Sequence, residues 1–475
     1  MTLTELHALL PVLLLAFGAV ALLLAGAWKA SYVTTLTYGV LIALGTAAIS
    51  IIHEPSPAVT NLGLFTLDSY SRFFSVLWSS LAALTLLMSF RYGQSRSFLG
   101  GEYAALILFA AAGMILLSSA SSFVGLFLGL ETFTLAFYIL IAFHKDSSLG
   151  AEAGLKYLIM GGVATGLLAM GIALIYAATG TFQFSQATLM PVGDQALRPL
   201  LLAGWALLLG GLGFKTSLVP FHLWTPDVYE GAPSPVTALL ATGSKGAVFA
   251  ALVLLFAGRD MAGSSLGSLL WLLSALSMVV GTLCALRQHS LKRMLAYSSV
   301  VHMGYLLLAL LAAGSNGSGA ILFYLVAYSG ATLGAFTVLT VFSPGGTEAG
   351  SYNHFRGAGY RQPLAAMVLL TCMLSLAGIP PTAGFMGKFS IFFAALEGGY
   401  TGLALIGILS SLISLAYYLR PVIVMYMAGS EVGMAEAQTS CSASEKAVLV
   451  LCLLVTLLLG VYPGPLFDTI ALVLP

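Results

Sequence analysis

The stretch Gly210-Gly211-Leu212-Gly213-Phe214-Lys215-Thr216-Ser217-Leu218-Val219-Pro220-Phe221-His222-Leu223-Trp224-Thr225-Pro226-Asp227 closes an apolar run that starts at Pro199. Such a run is long enough to cross a bilayer as a helix. Proline, however, removes a backbone donor and clashes with the preceding turn. A break at membrane depth frees carbonyls that only protein or a water-filled cavity can satisfy. A second stretch repeats the combination: Gly378-Ile379-Pro380-Pro381-Thr382-Ala383-Gly384-Phe385-Met386-Gly387-Lys388-Phe389. In transporters, paired Gly/Pro-interrupted spans in the two halves of a chain point to the ion path. Pro and Gly are common in all membrane helices, but that does not account for a lysine beside the prolines twice.

Composition agrees with a membrane protein. The chain is 59% hydrophobic and 7% charged, against about 25% charged in soluble domains. Apolar runs able to span a core about 30 Å thick recur from end to end. They begin near Leu6, Tyr32, Tyr70, Glu102, Ser121, Gly150, Pro199, Pro235, Ser264, Lys292, Gly317, Pro363, Thr401 and Glu445. This predicts an all-α polytopic membrane protein of about 14 transmembrane helices. The first run lacks a Lys/Arg-rich leader and is too long for a signal peptide, so it reads as a retained span. No loop between runs has room for a soluble catalytic domain, which needs roughly 50 residues.

The interrupted runs are the seventh and the twelfth. Their separation predicts two five-helix repeats, inverted because five is odd. The expected division of the single membrane domain 1–475 is 1–100 for helices 1–3, 101–258 for the first half-channel repeat, 259–430 for the second, and 431–475 for helix 14. The motifs Gly125-x-x-x-Gly129, Gly162-x-x-x-Gly166 and Gly330-x-x-x-Gly334 read as close helix contacts. Gly314-Ser315-Asn316-Gly317-Ser318-Gly319 lacks the strand and the Gly-Lys-Ser/Thr of a phosphate loop and reads as a turn.

Odd-numbered loops carry Lys29, Arg91, Arg96, Lys145, Arg287, Lys292, Arg293, Arg356, Arg361 and Lys446, and even-numbered loops only Arg72, Arg198 and Arg259. The positive-inside bias therefore places odd loops in the cytoplasm and both termini outside. The net charge of +1 comes with no basic run, which argues against nucleic acid as a partner. Cys284, Cys372, Cys441 and Cys452 form no CxxC, so iron–sulfur or zinc ligation by this chain is not expected.

Five ionisable residues fall inside spans: Glu131, Lys156, Lys215, Lys245 and Lys388. A charge near the bilayer centre costs about 2.5–3.5 kcal/mol on insertion scales and marks ion or proton pathways. Desolvation disfavours the charged form of a lysine and a nearby carboxylate restores it, so a Glu–Lys pair can switch between holding and releasing a proton. Sequence spacing does not establish that Glu131 and Lys215 are neighbours. Lys156 lies only about two turns into its helix, where snorkelling to the interface is a rival reading. His302, inside the tenth span, suits a relay between lysines or a structural hydrogen bond. His222, beside the Pro220 break, either extends the path or caps freed carbonyls. Arg420 is placed to snorkel, and Asp227 and Glu230 read as solvated loop residues.

Gly213-Phe214-Lys215 to Pro220-Phe221-His222-Leu223-Trp224, followed by Ala232-Pro233-Ser234-Pro235-Val236-Thr237-Ala238-Leu239-Leu240, resembles the core signature of the antiporter-like subunits of respiratory complex I. Mrp-type cation/proton antiporters and membrane-bound hydrogenases share it. Lys292-Arg293-Met294-Leu295-Ala296-Tyr297-Ser298-Ser299 is similar to the matching segment of the second half. The resemblance implies Glu131 and Lys215 as a coupled pair, Lys156 as modulator of Lys215, Lys245 as bridge to the second half, Lys388 as the residue of the second half-channel, and His302 on the connecting axis. It also implies a bacterial inner-membrane complex in which M-, K- and J-type membrane subunits are neighbours. FMN, iron–sulfur clusters and quinone would belong to partner subunits. The competing readings are an Mrp-type or hydrogenase-linked subunit, a stand-alone transporter of an organic solute, and a purely structural assembly subunit.

Overall fold

The computed structural model describes residues 8–52, 63–189, 197–257, 263–314, 316–343, 345, 348–427 and 441–474. Arg259, Ser315 and the start of the first run near Leu6 lie outside them. Among the described residues, thirteen helices are long and apolar enough to cross a membrane. In chain order, with the shorter helices of the interrupted spans, they are α1 (Leu10–Ala27), α2 (Tyr32–Ile52), α3 (Ser69–Gln94), α4 (Gly100–Ser118), α5 (Phe123–Ile141), α6 (Ser148–Thr179), α7 (Arg198–Thr216), α8 (Trp224–Gly231), α9 (Ser234–Leu255), α10 (Ser265–Leu286), α11 (Leu291–Leu311), α12 (Gly317–Val341), α13 (Pro363–Ala377), α14 (Ala383–Glu397), α15 (Thr401–Met427), α16 (Ala443–Val461) and α17 (Gly464–Val473). Among the described residues there is no β-strand, only isolated bridges between loops.

Helix ends follow local chemistry. Asp68 accepts from the Ser71 N–H at 2.9 Å to start α3, and Ser122 accepts from Gly125 to start α5. Ser442 and Glu445 form a reciprocal capping box at the start of α16. Gly180 ends α6 in the left-handed conformation.

The interrupted spans break where the prolines demand it. α7 ends at Thr216, the chain turns through Ser217 to Leu223 with a cis Val219–Pro220 bond, and α8 resumes at Trp224. α13 ends at Ala377, Gly378 takes φ +87°, Pro380–Pro381 is cis, and α14 resumes at Ala383. α13 and α14 together form the twelfth span, which completes the expected fourteen.

α9, α11 and α12 are almost wholly buried and form the centre. Around them, α1, α2, α6, α15 and α16 expose apolar side chains such as Leu41, Leu155, Leu409 and Leu458, as a lipid-facing surface requires. The N-terminal helices are tied to the centre by a polar bond: Tyr70 O–H donates to the Ala250 carbonyl at 2.8 Å. Trp78 Nε1 of α3 donates to Ser118 at the end of α4 at 2.8 Å, which joins those two helices to each other.

Two of the small-residue motifs are close contacts. A Cβ on Gly129 would lie 2.5 Å from the Leu117 backbone nitrogen, and one on Gly334 would lie 2.7 Å from Cys372 Sγ. Gly162 and Gly166 are a correction. A Cβ on either meets nothing within 4 Å, because that face of α6 turns outward, and Gly161 and Gly171 make the close approaches instead.

Candidate functional site

Glu131 and Lys215 come close without forming a direct ion pair. Glu131 lies mid-way along α5, partly buried, and its Oε1 accepts from Thr165 Oγ1 of α6 at 2.8 Å. One turn further along α5, Thr134 Oγ1 accepts from Lys215 Nζ at 2.9 Å. Lys215 sits in the last turn of α7, the end of the helix dipole that favours a cation. Its ammonium lies 5.7 Å from the rings of both Tyr138 and Tyr157, within cation–π range. Trp224 caps this pocket by donating Nε1–H to the Phe214 carbonyl at 2.9 Å.

Lys156 is at the edge. Its Nζ is 2.8 Å from Asp227 Oδ2 and 2.7 Å from Glu152 Oε1, and its side chain is 42% exposed. It is an edge residue held by two carboxylates. Asp227 and Glu230 are not plain solvated residues either: Asp227 Oδ1 and Glu230 Oε2 both hold Arg293 Nη1, at 3.0 and 2.8 Å.

Lys245 is fully buried. It follows a π-helical turn, Leu240–Ser244, inside α9, and such bulges occur often at functional sites. Its Nζ donates to Ser299 Oγ at 2.7 Å, and Tyr229 O–H reaches the same oxygen at 3.3 Å. Next door, Ser298 is hydrogen-bonded to Tyr418 O–H. Tyr418 is 2.9 Å from His302 Nε2, and Tyr324 O–H is 2.5 Å from His302 Nδ1. Adjacent serines of α11 thus hold Lys245 on one side and the His302 cluster on the other.

Lys388 completes the set. Its Nζ donates to the Ala377 carbonyl at 2.9 Å and to Ser411 Oγ at 2.8 Å, and lies 5.2 Å from the Tyr305 ring. Tyr305 packs against His302 with ring centroids 5.7 Å apart. His222 is buried beside its break with its ring edge-on to Tyr297, and no hydrogen bond joins it to this row. Arg420 is not free at the interface: Nη1 donates to the Leu286 carbonyl at the end of α10.

The arrangement is a row of titratable groups each held by a hydroxyl: Glu131 by Thr165, Lys215 by Thr134, Lys245 by Ser299, His302 by Tyr324 and Tyr418, and Lys388 by Ser411. A hydroxyl both donates and accepts, so such a row can pass a proton. The intervening Thr134, Thr165, Ser299, Tyr324 and Tyr418 had no signal of their own in the sequence, because Ser, Thr and Tyr are ordinary in membrane helices. Glu348 was also missed. It sits between α12 and α13, 2.7 Å from the buried Lys292 ammonium, and it accepts from Ser234 Oγ at 2.7 Å and from Tyr92.

Residues 120–414 match the family described as NADH:quinone oxidoreductase/Mrp antiporter, transmembrane. The chain belongs to this antiporter-like family. It is 47% identical to the NADH-quinone oxidoreductase subunit N of Syntrophotalea carbinolica, over the whole of both chains. A chain of respiratory complex I from Thermus thermophilus superimposes with a TM-score of 0.83 at 34% identity, covering 96% of this chain and 98% of that one. A chain of the Mrp complex from Dietzia superimposes with a TM-score of 0.81 at 21% identity, covering 100% of this chain and 97% of that one. The last likeness shows a common fold only. Among antiporter-like proteins the chain is therefore a subunit-N-type member and a multi-pass membrane protein.

Proposed function

We propose that this chain is the proton-translocating N-type membrane subunit of an NADH:quinone oxidoreductase, complex I. The observation that carries the reading is the row from Glu131 to Lys388: four of its members, Lys215, Lys245, His302 and Lys388, are buried and each is held by a hydroxyl. A structural anchor has no use for so many desolvated ionisable groups.

Glu131 and Lys215 act as the proton-holding pair of the first half-channel, in 101–258. Lys245 and Ser299 pass the proton on, His302 with Tyr418 and Tyr324 forms the connection, and Lys388 serves the second half-channel, in 259–430. Lys156 tunes the first pair from the edge, and His222 stands beside the break.

Moving one charge against 100 mV requires about 2.3 kcal/mol. In the complex that energy comes from quinone reduction, with FMN, iron–sulfur clusters and quinone carried by other subunits. M-, K- and J-type membrane subunits are the expected neighbours. The lysine and arginine bias supports a bacterial inner-membrane setting with both termini on the periplasmic side.

The test is Lys215→Met in the assembled complex. NADH-driven proton pumping in membrane vesicles should collapse while the amount of complex stays near wild type. Unchanged pumping would overturn the reading. Pumping that required sodium would move the chain to the Mrp-type alternative.

A further inference from the structure

The short helix α8 touches the surroundings of both buried lysines. Its first residue, Trp224, packs on Tyr157 with ring centroids 4.8 Å apart and donates to the Phe214 carbonyl beside Lys215. Its Tyr229 shares Ser299 with Lys245. A small shift of α8 therefore alters the walls of both pockets together.

Besides this packing, ion pairs hold α8 against its neighbours. Asp227, in its first turn, divides its carboxylate: Oδ2 holds Lys156 of α6 at 2.8 Å and Oδ1 holds Arg293 of α11 at 3.0 Å. α6 lies in the first five-helix unit and α11 in the second. Glu152 also holds Lys156, and Glu230 of α8 also holds Arg293 through the same Nη1, so acidic and basic groups alternate in one cluster. The row lines a cavity of about 130 Å³. A water needs only about 10–15 Å³ of such space, so the cavity admits several.

Magnitude decides between a brace and a hinge. Side chains in the row are between 30% and 59% exposed, and exposed ion pairs contribute only about 0–1 kcal/mol. Such a row adds little to stability but is easily opened and closed. It also keeps Lys156 out of the main row: Lys156 lies nine residues before Thr165, the partner of Glu131, which is about 13 Å along the helix.

We propose that Asp227 is a positioning residue that couples the two half-channels: by sharing its carboxylate between Lys156 and Arg293 it sets α8 between Lys215 and Lys245. Release of the Lys156 arm leaves α8 tied by charge to α11 alone, where Glu230 as well as Asp227 holds Arg293, so α8 shifts and the charge state at the edge is felt at Lys215 and Lys245. The inference rests on the proton-translocation reading above.

The test is a double-mutant cycle in the assembled complex, with NADH-driven pumping and NADH oxidation measured in the same vesicles. Asp227→Asn should lower pumping about fivefold, the size of a change of one kcal/mol, and Asp227→Glu should restore most of it. Lys156→Met should lower pumping similarly, and the double variant should be no worse than the worse single. Losses that multiply, or an Asp227→Asn complex that pumps like wild type, would overturn the coupling. Where Asp227→Asn lowers assembly, Arg293→Gln replaces it: its loss should likewise vanish in the Lys156→Met background, and a multiplying loss overturns the proposal. If Lys215→Met pumps normally, the functional reading itself fails. If it does not pump while the other losses multiply, only the role of Asp227 fails.

Discussion

Lys388 lies beyond the break in the twelfth span, yet its ammonium reaches back 2.9 Å to the carbonyl of Ala377, the last residue of α13 before the break. A helix C-terminus leaves carbonyls without intrahelical donors and carries partial negative charge. The lysine proposed to carry protons thus also satisfies the backbone that the prolines freed. A Cβ on Gly378 would lie 2.8 Å from Lys388 Cδ, and its φ of +87° already favours glycine.

Lys388→Met should therefore lose more than a proton carrier. The Ala377 carbonyl keeps Ser411 at 3.2 Å but loses a charge-assisted bond worth about 1.5–3 kcal/mol. Pumping should fall strongly and the melting temperature of the purified complex should drop. Lys388→Arg should recover stability more than pumping, because guanidinium does not release protons at neutral pH. Thermal melting and vesicle pumping of the two variants check this.

Ser299 of α11 supplies the hydroxyl that holds Lys245. Ser299→Ala removes the acceptor at 2.7 Å and leaves a fully buried ammonium beside the rings of Tyr229 and Trp224. Ser299→Thr keeps the hydroxyl. Pumping by the alanine variant should fall at least roughly tenfold, because a charge-assisted bond is worth about 1.5–3 kcal/mol and about 1.4 kcal/mol is already tenfold, and the threonine variant should stay nearer wild type. Equal activity of the two would remove Ser299 from the row.

Glu348 joins four places at once: Tyr92 at the end of α3, Arg96 in the next loop at 3.7 Å, Ser234 at the start of α9, and Lys292 at the start of α11. Lys292 is 1% exposed. Glu348→Ala leaves that ammonium with backbone carbonyls only, the nearest being Ala232 at 2.8 Å. Leaving a buried charge without its partner is strongly destabilising, so the prediction is poor assembly rather than altered pumping per complex. Native gels of solubilised membranes would measure it.

Burial acts to raise the Asp227 carboxyl, but hydrogen bonds from Lys156 and Arg293 outweigh it and hold the group below the usual carboxylate range. A depressed acid contributes stability above its unfolded pKa of about 3.9 and loses it as pH falls through the lower folded value. Any difference in melting temperature between wild type and Asp227→Asn should therefore be flat from about pH 5 to 8 and narrow below about pH 4. A difference that changes between pH 6 and 8 would show another group titrating in the row.

The sequence by itself determined the spans, the two breaks and the ionisable residues inside the membrane. These are local properties: apolar length sets a span, proline interrupts it wherever it lies, and a charge in lipid is conspicuous without knowledge of its partner. Lys215, Lys245 and Lys388 needed no neighbour to stand out. The tertiary structure alone decided what each of them touches. Thr134 and Lys215 are 81 residues apart and Lys245 and Ser299 are 54 apart, and no periodicity within one helix reports which faces of two helices meet. For the same reason Lys156 proved to be an edge residue tied to Asp227, Gly162 and Gly166 turned outward, and Glu348 came to lie against Lys292. Helix–helix packing, with its close approaches at Gly129 and Gly334, chose those partners.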